Sequence, residues 1–268
     1  MRVQNRMHGH QPRKRFSQNF LHDASYIARI VQAIDPRPAD HVLEIGPGMG
    51  ALTGPLIEAA GRLAAVEIDR DLAARLRERF PADRLGLVEG DALRIDWSSF
   101  LSQAGGKVRV VGNLPYHVST PLLFALLPAA GFVADQHFML QREVVDRMVA
   151  EPGGKEYGRL SVMLQVRYRM FRLFHVPPGA FMPAPAVTSS IVRMVPIHQE
   201  ELPTFDGRAF SRVVAAAFSQ RRKTLRNALM SVLTEQQIRD AQVDPGARAE
   251  TLDSQAFVRL SLRVLPEA

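Results

Sequence analysis

Short apolar runs alternate with longer mixed segments between about residues 40 and 141, and this alternation is the strongest pattern in the chain. The runs have the length and the apolar or β-branched content of buried strands, and they lie at residues 41–43, 62–69, 85–89, 107–111 and 137–141. Alternating strands and helices fold as a parallel sheet with right-handed crossovers. The pattern therefore predicts an α/β fold with a doubly wound, mostly parallel sheet.

Two later apolar segments, residues 170–176 and 187–195, are typical of strands that close the sheet. Residues 195–203 contain two prolines and paired glutamates, which is typical of a linker. We therefore predict a large α/β domain over residues 1–198 and a small all-α domain over residues 199–268.

Apolar residues recur at helical spacing in other parts of the chain after residue 141. This spacing predicts helices at residues 157–167, 207–218, 222–233, 234–241 and 254–262. Thr234 and Gln237 have the spacing of a capping box, which indicates that one of these helices begins there.

A glycine-rich loop and three acidic residues lie at the ends of successive predicted strands. Gly46 and Gly48, which follow Glu44, allow a tight turn and a close approach of the backbone to a ligand. Glu67 lies 21 positions beyond Gly46, where a carboxylate accepts hydrogen bonds from two ribose hydroxyls, and Asp91 can accept from an adenine amino group. Each carboxylate alone is also typical of a loop or a helix cap, and the glycines alone also fit NAD. Together these residues favour an adenosine-containing cofactor.

The stretch Asn113-Leu114-Pro115-Tyr116 follows the fourth predicted strand and is the most informative motif in the chain. An exocyclic amine on a nucleobase is a poor nucleophile, because its lone pair is delocalised into the ring. The Asn113 side-chain carbonyl and the Leu114 backbone carbonyl, held in place by Pro115, can accept both N–H hydrogens and favour a pyramidal nitrogen. Tyr116 can stack on the base. The alternative is an Asn-Xaa-Pro turn with a packed tyrosine, but the neighbouring cofactor residues favour a niche for methylation of a nucleobase amine.

Composition excludes several other classes of protein. The chain has no cysteine among its 268 residues, which excludes a disulfide framework and a thiolate metal site and suits a cytoplasmic protein. The eight histidines show no metal-ligand spacing, so we predict no metal. Residues 110–134 carry no charge, but prolines and polar residues interrupt them, so we predict no membrane segment.

Positive charge is concentrated in particular segments of the chain, whose formal net charge is +7. The clusters comprise Arg13, Lys14, Arg15, Arg167, Arg169, Arg172, Arg221, Arg222, Lys223 and Arg226. A single cluster is usually a solvated surface. Several clusters around a base-modifying site predict contacts with RNA phosphates, which position the nucleic acid without reading its bases.

In these motifs the chain resembles the bacterial small-subunit (16S) ribosomal RNA adenine N6,N6-dimethyltransferases, and the resemblance extends over most of its length. The resemblance rests on the glycine loop, the carboxylates and the Asn-Leu-Pro-Tyr stretch, and on further segments at residues 15–21, 158–163, 181–187 and 217–227. The Gln-Asn-Phe-Leu and Gln-Arg-Arg-Lys-Thr-Leu-Arg sequences within these segments are the most particular to that family. Ser17 stands where the family usually has Gly, and His117 stands where Asn is common.

The resemblance implies a Rossmann-like class I methyltransferase fold and S-adenosylmethionine as methyl donor. It also implies that Asn19 and Leu21 close over the donor. We expect Phe181 to cover the face of the target adenine opposite Tyr116, and Asn113 to lie beside both donor and base. The implied substrate is a pair of adjacent adenosines in a hairpin loop near the 3′ end of 16S rRNA, within an immature 30S subunit. We further expect a monomer.

Two alternatives remain open from the sequence. A large-subunit rRNA adenine methyltransferase of the antibiotic-resistance type shares the loop and the cofactor residues, although the basic carboxyl-terminal segment argues against it. The other alternative is a ribosome-assembly checkpoint protein whose main role is to bind immature subunits. An NAD-dependent dehydrogenase would leave Asp91 and the Asn-Leu-Pro-Tyr stretch without a role.

Overall fold

A computed structural model describes residues 18–198, 201, 204–220 and 222–265. These residues divide into two compact units. The first comprises the residues up to Val145 together with Phe171–Pro196, and the second comprises Asp146–Met170 and the residues from Ile197 onward. Residues 146–170 thus group with the carboxyl-terminal helices, whereas the sequence pattern assigned them to the first domain. The division into the two predicted domains stays a prediction.

Strands and helices alternate along the first unit, as predicted. In chain order the strands are β1 (Phe20–Leu21), β2 (His41–Ile45), β3 (Leu63–Glu67), β4 (Leu85–Glu89), β5 (Val108–Asn113), β6 (Val133–Gln141), β7 (Tyr168–Val176), β8 (Phe181–Met182) and β9 (Ser189–Pro196). The helices are α1 (Ala24–Ile34), α2 (Thr53–Ala60), α3 (Arg70–Arg79), α4 (Trp97–Ser102), α5 (Tyr116–Leu126), α6 (Arg142–Met148), α7 (Arg159–Gln165), α8 (Gly207–Ala217), α9 (Leu225–Ala228), α10 (Glu235–Asp240) and α11 (Ser254–Ser261).

The large sheet has the strand order β4-β3-β2-β5-β6-β9-β7. β2 runs parallel to β3 and β5, β3 runs parallel to β4, and β5 runs parallel to β6, whereas β9 is antiparallel to β6. Val108, Val110 and Val111 are buried on both faces of β5, as expected for a parallel sheet between helices. The predicted doubly wound, mostly parallel sheet is confirmed.

α1 was not predicted from the sequence. The Asp23 carboxylate caps it and accepts a hydrogen bond from the Ser25 N–H at 2.9 Å. Ile30 and Ile34 of this helix are buried in the apolar core of the first unit. A second small sheet, in which β1 pairs antiparallel with β8, was not predicted either.

The second unit has its own apolar core, to which α7, α8 and α11 contribute. The predicted capping box is confirmed, because the Thr234 Oγ1 accepts from the Gln237 N–H at 3.2 Å and Gln237 Oε1 accepts from the Thr234 N–H at 2.8 Å. The prediction of a helix over the whole of residues 222–233 is wrong in its length, since only α9 forms there. A turn replaces the remainder and buries both Leu229 and Leu233 in the core.

Candidate functional site

A pocket lies in the first unit where β2, β3, β4 and β5 end, which is the usual position of sites in open α/β sheets. It brings together the residues predicted for catalysis and for cofactor binding. They are Asn19, Leu21, Glu44, Gly46, Gly48, Glu67, Asp91, Asn113, Leu114, Pro115, Tyr116 and Phe181. Their roles stay predictions.

The glycine loop after β2 is fixed by the carboxylate at the end of β3. Gly46 and Gly48 have φ values of 70° and 59°, in the region that favours glycine. Glu67 Oε2 accepts from the Gly48 N–H at 3.0 Å, and Glu67 Oε1 accepts from the Asp69 N–H at 2.9 Å. Burial raises the pKa of Glu67, and these backbone N–H groups oppose the shift. The carboxylate is therefore oriented by two separate loops.

Glu44 is a second buried carboxyl group in the lining of the pocket. Its Oε2 accepts from the Thr53 hydroxyl at 2.7 Å, at the start of α2. Burial raises the pKa of Glu44 to about 7, against the effect of the Thr53 hydrogen bond and with a smaller contribution from Glu67. The protonation of Glu44 is thus sensitive to any charge placed in the pocket.

Asp91 lies in the loop after β4 and is half-buried. Its Oδ1 accepts from the Leu93 N–H at 3.0 Å, and its Oδ2 lies 3.6 Å from Arg94 Nε. Two apolar side chains in the lining are unusually exposed: Ile68, after Glu67, is 46% exposed and Leu93 is 39% exposed. The pocket thus offers carboxylate acceptors beside apolar surface on this side.

Asn113 ends β5 and lies on the other side of the pocket. Its Nδ2 donates to the Asn19 backbone carbonyl at 3.3 Å, which leaves the side-chain oxygen as the acceptor. Leu114 is buried, and its N–H donates to the Met139 carbonyl at 3.2 Å. Pro115 precedes the first residue of α5 and its carbonyl accepts from the Ser119 hydroxyl at 3.0 Å. The Asn-Leu-Pro-Tyr stretch is therefore held in place by a side-chain hydrogen bond at Asn113 and by backbone hydrogen bonds at Leu114 and Pro115.

The two predicted stacking residues have different surroundings. The Tyr116 hydroxyl lies 2.9 Å from the Ser189 hydroxyl, and burial raises the pKa of Tyr116, so the phenol is neutral. The Phe181 ring is buried, and Phe181 pairs with Leu21 across the small sheet. The stacking of either ring on a base stays a prediction.

Three further residues near the pocket, two of them in the Gln-Asn-Phe-Leu segment, were given no role from the sequence. The Phe20 ring lies against Gly48, where a Cβ would approach it to 3.2 Å. Gln18 Nε2 donates to Asp69 Oδ2 at 3.2 Å, so residues before β1 are attached to the loop after β3. Gly112 precedes Asn113, and a Cβ there would lie 2.7 Å from the Ile45 carbonyl oxygen. The glycine directly before the Asn-Leu-Pro-Tyr stretch was the available signal for the last of these.

The predicted RNA-binding residues are only partly described. Arg13, Lys14, Arg15 and Arg221 lie outside the described residues. In the second unit Arg222 and Lys223 are exposed, whereas Arg226 Nη1 lies 3.6 Å from Glu235 Oε2.

The described part of the chain contains no group of three or more His, Cys, Asp or Glu residues able to hold a metal ion. None of its helices has both the length and the apolar character needed to cross a membrane. The predictions of no metal and no membrane segment are not tested further by these findings.

The strand order, the glycine loop, the carboxylate at the end of β3 and the pocket at the strand ends define a Rossmann-like methyltransferase. Residues 9–264 match the family model described as ribosomal RNA adenine dimethylase. The chain belongs to this family and is a methyltransferase enzyme, as the resemblance implied.

Known relatives cover nearly the whole chain. It is 57% identical over 255 residues to the ribosomal RNA small subunit methyltransferase A of Aromatoleum aromaticum, with 95% of each chain covered. It is 54% identical over 259 residues to the protein of the same name from Acinetobacter baylyi, with 96% of this chain and 94% of the relative covered.

Solved structures share the fold. A dimethyladenosine transferase from Plasmodium falciparum has a TM-score of 0.74 at 24% identity, covering 90% of this chain and 95% of that one. The 23S rRNA methyltransferase ErmE has a TM-score of 0.68 at 26% identity, covering 92% and 99%.

Proposed function

We propose that this enzyme transfers methyl groups from S-adenosylmethionine to the N6 amines of two adjacent adenosines in a hairpin loop near the 3′ end of 16S rRNA. The product is N6,N6-dimethyladenosine, made during biogenesis of the small subunit. The observation that carries the proposal is one pocket with two chemically different sides. Glu44, Glu67 and Asp91 line it along β2, β3 and β4, and the neutral Asn-Leu-Pro-Tyr stretch lines it after β5.

The carboxylate side fits S-adenosylmethionine, which supplies an activated methyl group on a positively charged sulfonium. Glu67 would hold the ribose hydroxyls, since its oxygens are oriented by backbone N–H groups and keep further lone pairs. Asp91 would accept from the adenine amino group, with Ile68 and Leu93 against the ring. Glu44 would face the ammonium group of the methionine part, and the positive charge would favour its ionised form.

The residues closing this side come from the amino-terminal segment. Asn19 and Leu21 line the pocket, and the Asn19 carbonyl accepts from Asn113. The position of Asn19 and Leu21 in the lining supports a role for these two residues in covering the donor. The contact between Asn19 and Asn113 joins the donor side to the niche for the base.

The neutral side would receive the target adenine, which must leave its stack because N6 is otherwise out of reach. The Asn113 side-chain oxygen and the Leu114 carbonyl would accept from N6–H and favour a pyramidal nitrogen. Tyr116 and Phe181 would cover the two faces of the ring. No strong general base is needed, because the amine becomes acidic once methylated and water can take its proton. A second methylation needs space for the first methyl group, which suits a neutral niche.

The basic residues would position the RNA. Arg222 and Lys223 are exposed in the second unit, and phosphate contacts of this kind set register without reading sequence. The same proposal extends to Arg13, Lys14, Arg15, Arg221 and Arg226. We propose that the RNA is presented within an immature 30S subunit and that the enzyme acts as a cytoplasmic monomer.

The relatives support the small subunit over the large one. Those at 53–57% identity are named for the small subunit, whereas the 23S rRNA methyltransferase ErmE is 26% identical. An assembly-checkpoint role can coexist with catalysis. Growth of a strain that carries a catalytically dead copy separates the two, since a defect worse than that of a deletion favours the binding role.

Transfer of labelled methyl from S-adenosylmethionine tests the proposal on small subunits that lack the modification, with naked RNA and large subunits in parallel. Nucleoside digestion identifies the product. We expect dimethyladenosine on small subunits only. Label on large-subunit RNA would instead support a large-subunit rRNA adenine methyltransferase of the antibiotic-resistance type. Tight binding to small subunits without any methyl transfer would support the checkpoint role alone.

A further inference from the structure

The last strand of the large sheet has an unusual surface. β7 stands at the end of the strand order and has β9 as its only strand neighbour among the described residues. Phe171 is 51% exposed and Leu173 is 36% exposed, and His175 is exposed as well. Residues two apart on a strand share a face, so these side chains form one strip, which spans about 13 Å at about 3.3 Å per residue. We call these three residues the β7 strip.

The β7 strip and the niche proposed for the base both adjoin the first residues of β9. His175 Nδ1 lies 2.7 Å from the Ser190 hydroxyl, and the Tyr116 hydroxyl lies 2.9 Å from the Ser189 hydroxyl. Ser189 and Ser190 are the first two residues of β9, so Tyr116 and His175 contact the same end of that strand from opposite faces of the sheet. An RNA strand that leaves the niche next to Tyr116 therefore reaches the β7 strip by passing around this end of the sheet.

The charge around the β7 strip suits a polyanion. Between Glu156 and Glu200 the sequence has no acidic residue and has five arginines, of which Arg169 pairs with Glu201 at 2.7 Å and Arg193 lies 3.5 Å from Asp135. Arg172 is exposed on the other face of β7, between Phe171 and Leu173 in sequence. Behind the strand, the Arg29 guanidinium carbon lies 3.9 Å from the centre of the Phe174 ring. Basic groups on one side of the open edge and an exposed aromatic ring on the other are the two features that bind single-stranded nucleic acid, by phosphate contact and by stacking.

We propose that the β7 strip and Arg172 bind the single-stranded RNA that flanks the target adenosines. A base stacks on Phe171 and Leu173 contacts the same base or the next, while Arg172, on the other face, contacts a phosphate where the RNA passes around the open edge of β7. The inference rests on the proposed function, because the RNA is the one whose adenine enters the niche. A protein strand added to the open edge of β7 is the competing occupant. RNA is favoured because acidic residues are absent from this segment and the exposed side chains combine aromatic and basic character.

The first test is RNA binding by full-length variants, measured by fluorescence anisotropy. The probe is a hairpin with two adjacent adenosines in its loop and a single-stranded extension on each side of them. We expect Phe171→Ala to weaken binding about 5- to 100-fold, as for loss of one base stack. Leu173→Ser should weaken it less. Arg172→Ala should lower the slope of log K against log salt by about 0.7, as for loss of one phosphate contact to a single strand.

Two variants on other surfaces serve as matched controls. Phe132 is 38% exposed just before β6, and Arg62 is exposed just before β3, so both lie at the strand ends opposite the pocket. Phe132→Ala and Arg62→Ala remove the same groups there and should leave RNA binding unchanged. Affinity for S-adenosylmethionine, measured by calorimetry, should be unchanged in all five variants, which also checks that the pocket is folded.

A second test locates the RNA directly. Probes carrying 4-thiouridine beside the adenosines are cross-linked to the wild-type enzyme, and the attached peptide is identified by mass spectrometry. We expect cross-links to the peptide that contains Phe171. Unchanged binding by Phe171→Ala and Arg172→Ala, with cross-links confined to other peptides, would overturn the proposal.

Two further outcomes are distinguishable. Variants that bind the RNA normally but fail to associate with immature subunits would identify a protein at the β7 edge and would also overturn the proposal. Wild-type methyl transfer to unmodified small subunits is measured alongside. Its absence would contradict the proposed function, whereas normal transfer with unaffected variant binding would contradict the β7 proposal alone.

Discussion

The two sides of the pocket differ in charge and in how their polar groups are held. On the side of β2, β3 and β4, three carboxyl groups line the pocket, and the oxygens of Glu67 are held by N–H groups of two loops. On the side of β5, the lining of Asn113 to Tyr116 carries no formal charge, and Asn113 offers one oriented acceptor. We infer that the charged side provides affinity for a cationic donor, whereas the neutral side stabilises charge that develops only during transfer.

The largest expected effect is on the neutral side. Asn113→Ala should lower the single-turnover rate of methyl transfer about 100- to 1000-fold, as for loss of one preorganised group that stabilises the transition state. The affinity for S-adenosylmethionine, measured by calorimetry, should change far less. The control is His117→Ala, which removes a neighbouring polar side chain of the pocket lining. Comparable losses of rate and of donor affinity in Asn113→Ala would contradict the assignment of donor binding and methyl transfer to different sides of the pocket.

On the charged side, Glu67→Gln should weaken S-adenosylmethionine binding about 10- to 100-fold, as for loss of a hydrogen bond to a charged group. The amide must direct an NH2 group towards the N–H of Gly48 or Asp69, so one of the two hydrogen bonds that orient this side chain is lost. Glu78→Gln, on the exposed face of α3, is the matched control. Full affinity in Glu67→Gln would show that the carboxylate does not hold the donor.

The buried Glu44 makes the free energy of unfolding depend on pH. Its pKa is raised from 4.5 to about 7 in the folded chain, so its favourable contribution is complete below pH 4.5 and is lost as pH rises through 7. Relative to Glu44→Gln, wild type should lose about 3 kcal/mol over this range, as follows from the size of the rise in pKa. Denaturant unfolding of both proteins across the range measures the difference. If the free energies of unfolding of the two proteins changed in parallel with pH, the raised pKa of Glu44 would be contradicted.

A smaller effect is expected at Gly112, where the neutral side adjoins the central strands. An alanine Cβ would lie 2.7 Å from the Ile45 carbonyl oxygen and 3.0 Å from Leu114 Cδ2. Gly112→Ala should therefore lower the free energy of unfolding by about 1 to 2 kcal/mol, because the strands must separate or Leu114 must move. Gly86→Ala, also in a strand, meets its nearest atom at 4.0 Å and should be neutral or stabilising. Equal stability of the two variants would show that β5 adjusts freely.

The residues at the ends of the strands could be predicted from the sequence. Glu67 and Asp91 follow apolar runs at fixed spacing, and parallel strands bring their ends to one edge, so local patterns were sufficient to group them. The position of Asn113 followed in the same way. The fold class and the loops after β2, β3 and β4 can therefore be predicted from patterns of residues that are close in sequence.

Contacts between distant segments carried no such signal. Leu21 pairs with Phe181 through strands of two residues each, too short for a pattern, and Gln18 reaches Asp69 through one side chain. The helix predicted over residues 222–233 is wrong in its length for a different reason. Its apolar spacing is satisfied equally by a shorter helix and a turn that bury Leu229 and Leu233.

The central claim, that donor affinity and methyl transfer depend on different sides of one pocket, is tested most directly by single-turnover rates at saturating S-adenosylmethionine. Wild type, Glu67→Gln and Asn113→Ala would be compared on unmodified small subunits. The account predicts that saturation restores Glu67→Gln to within about threefold of wild type and leaves Asn113→Ala at least about 100-fold slower. Restoration of both variants, or of neither, would contradict it.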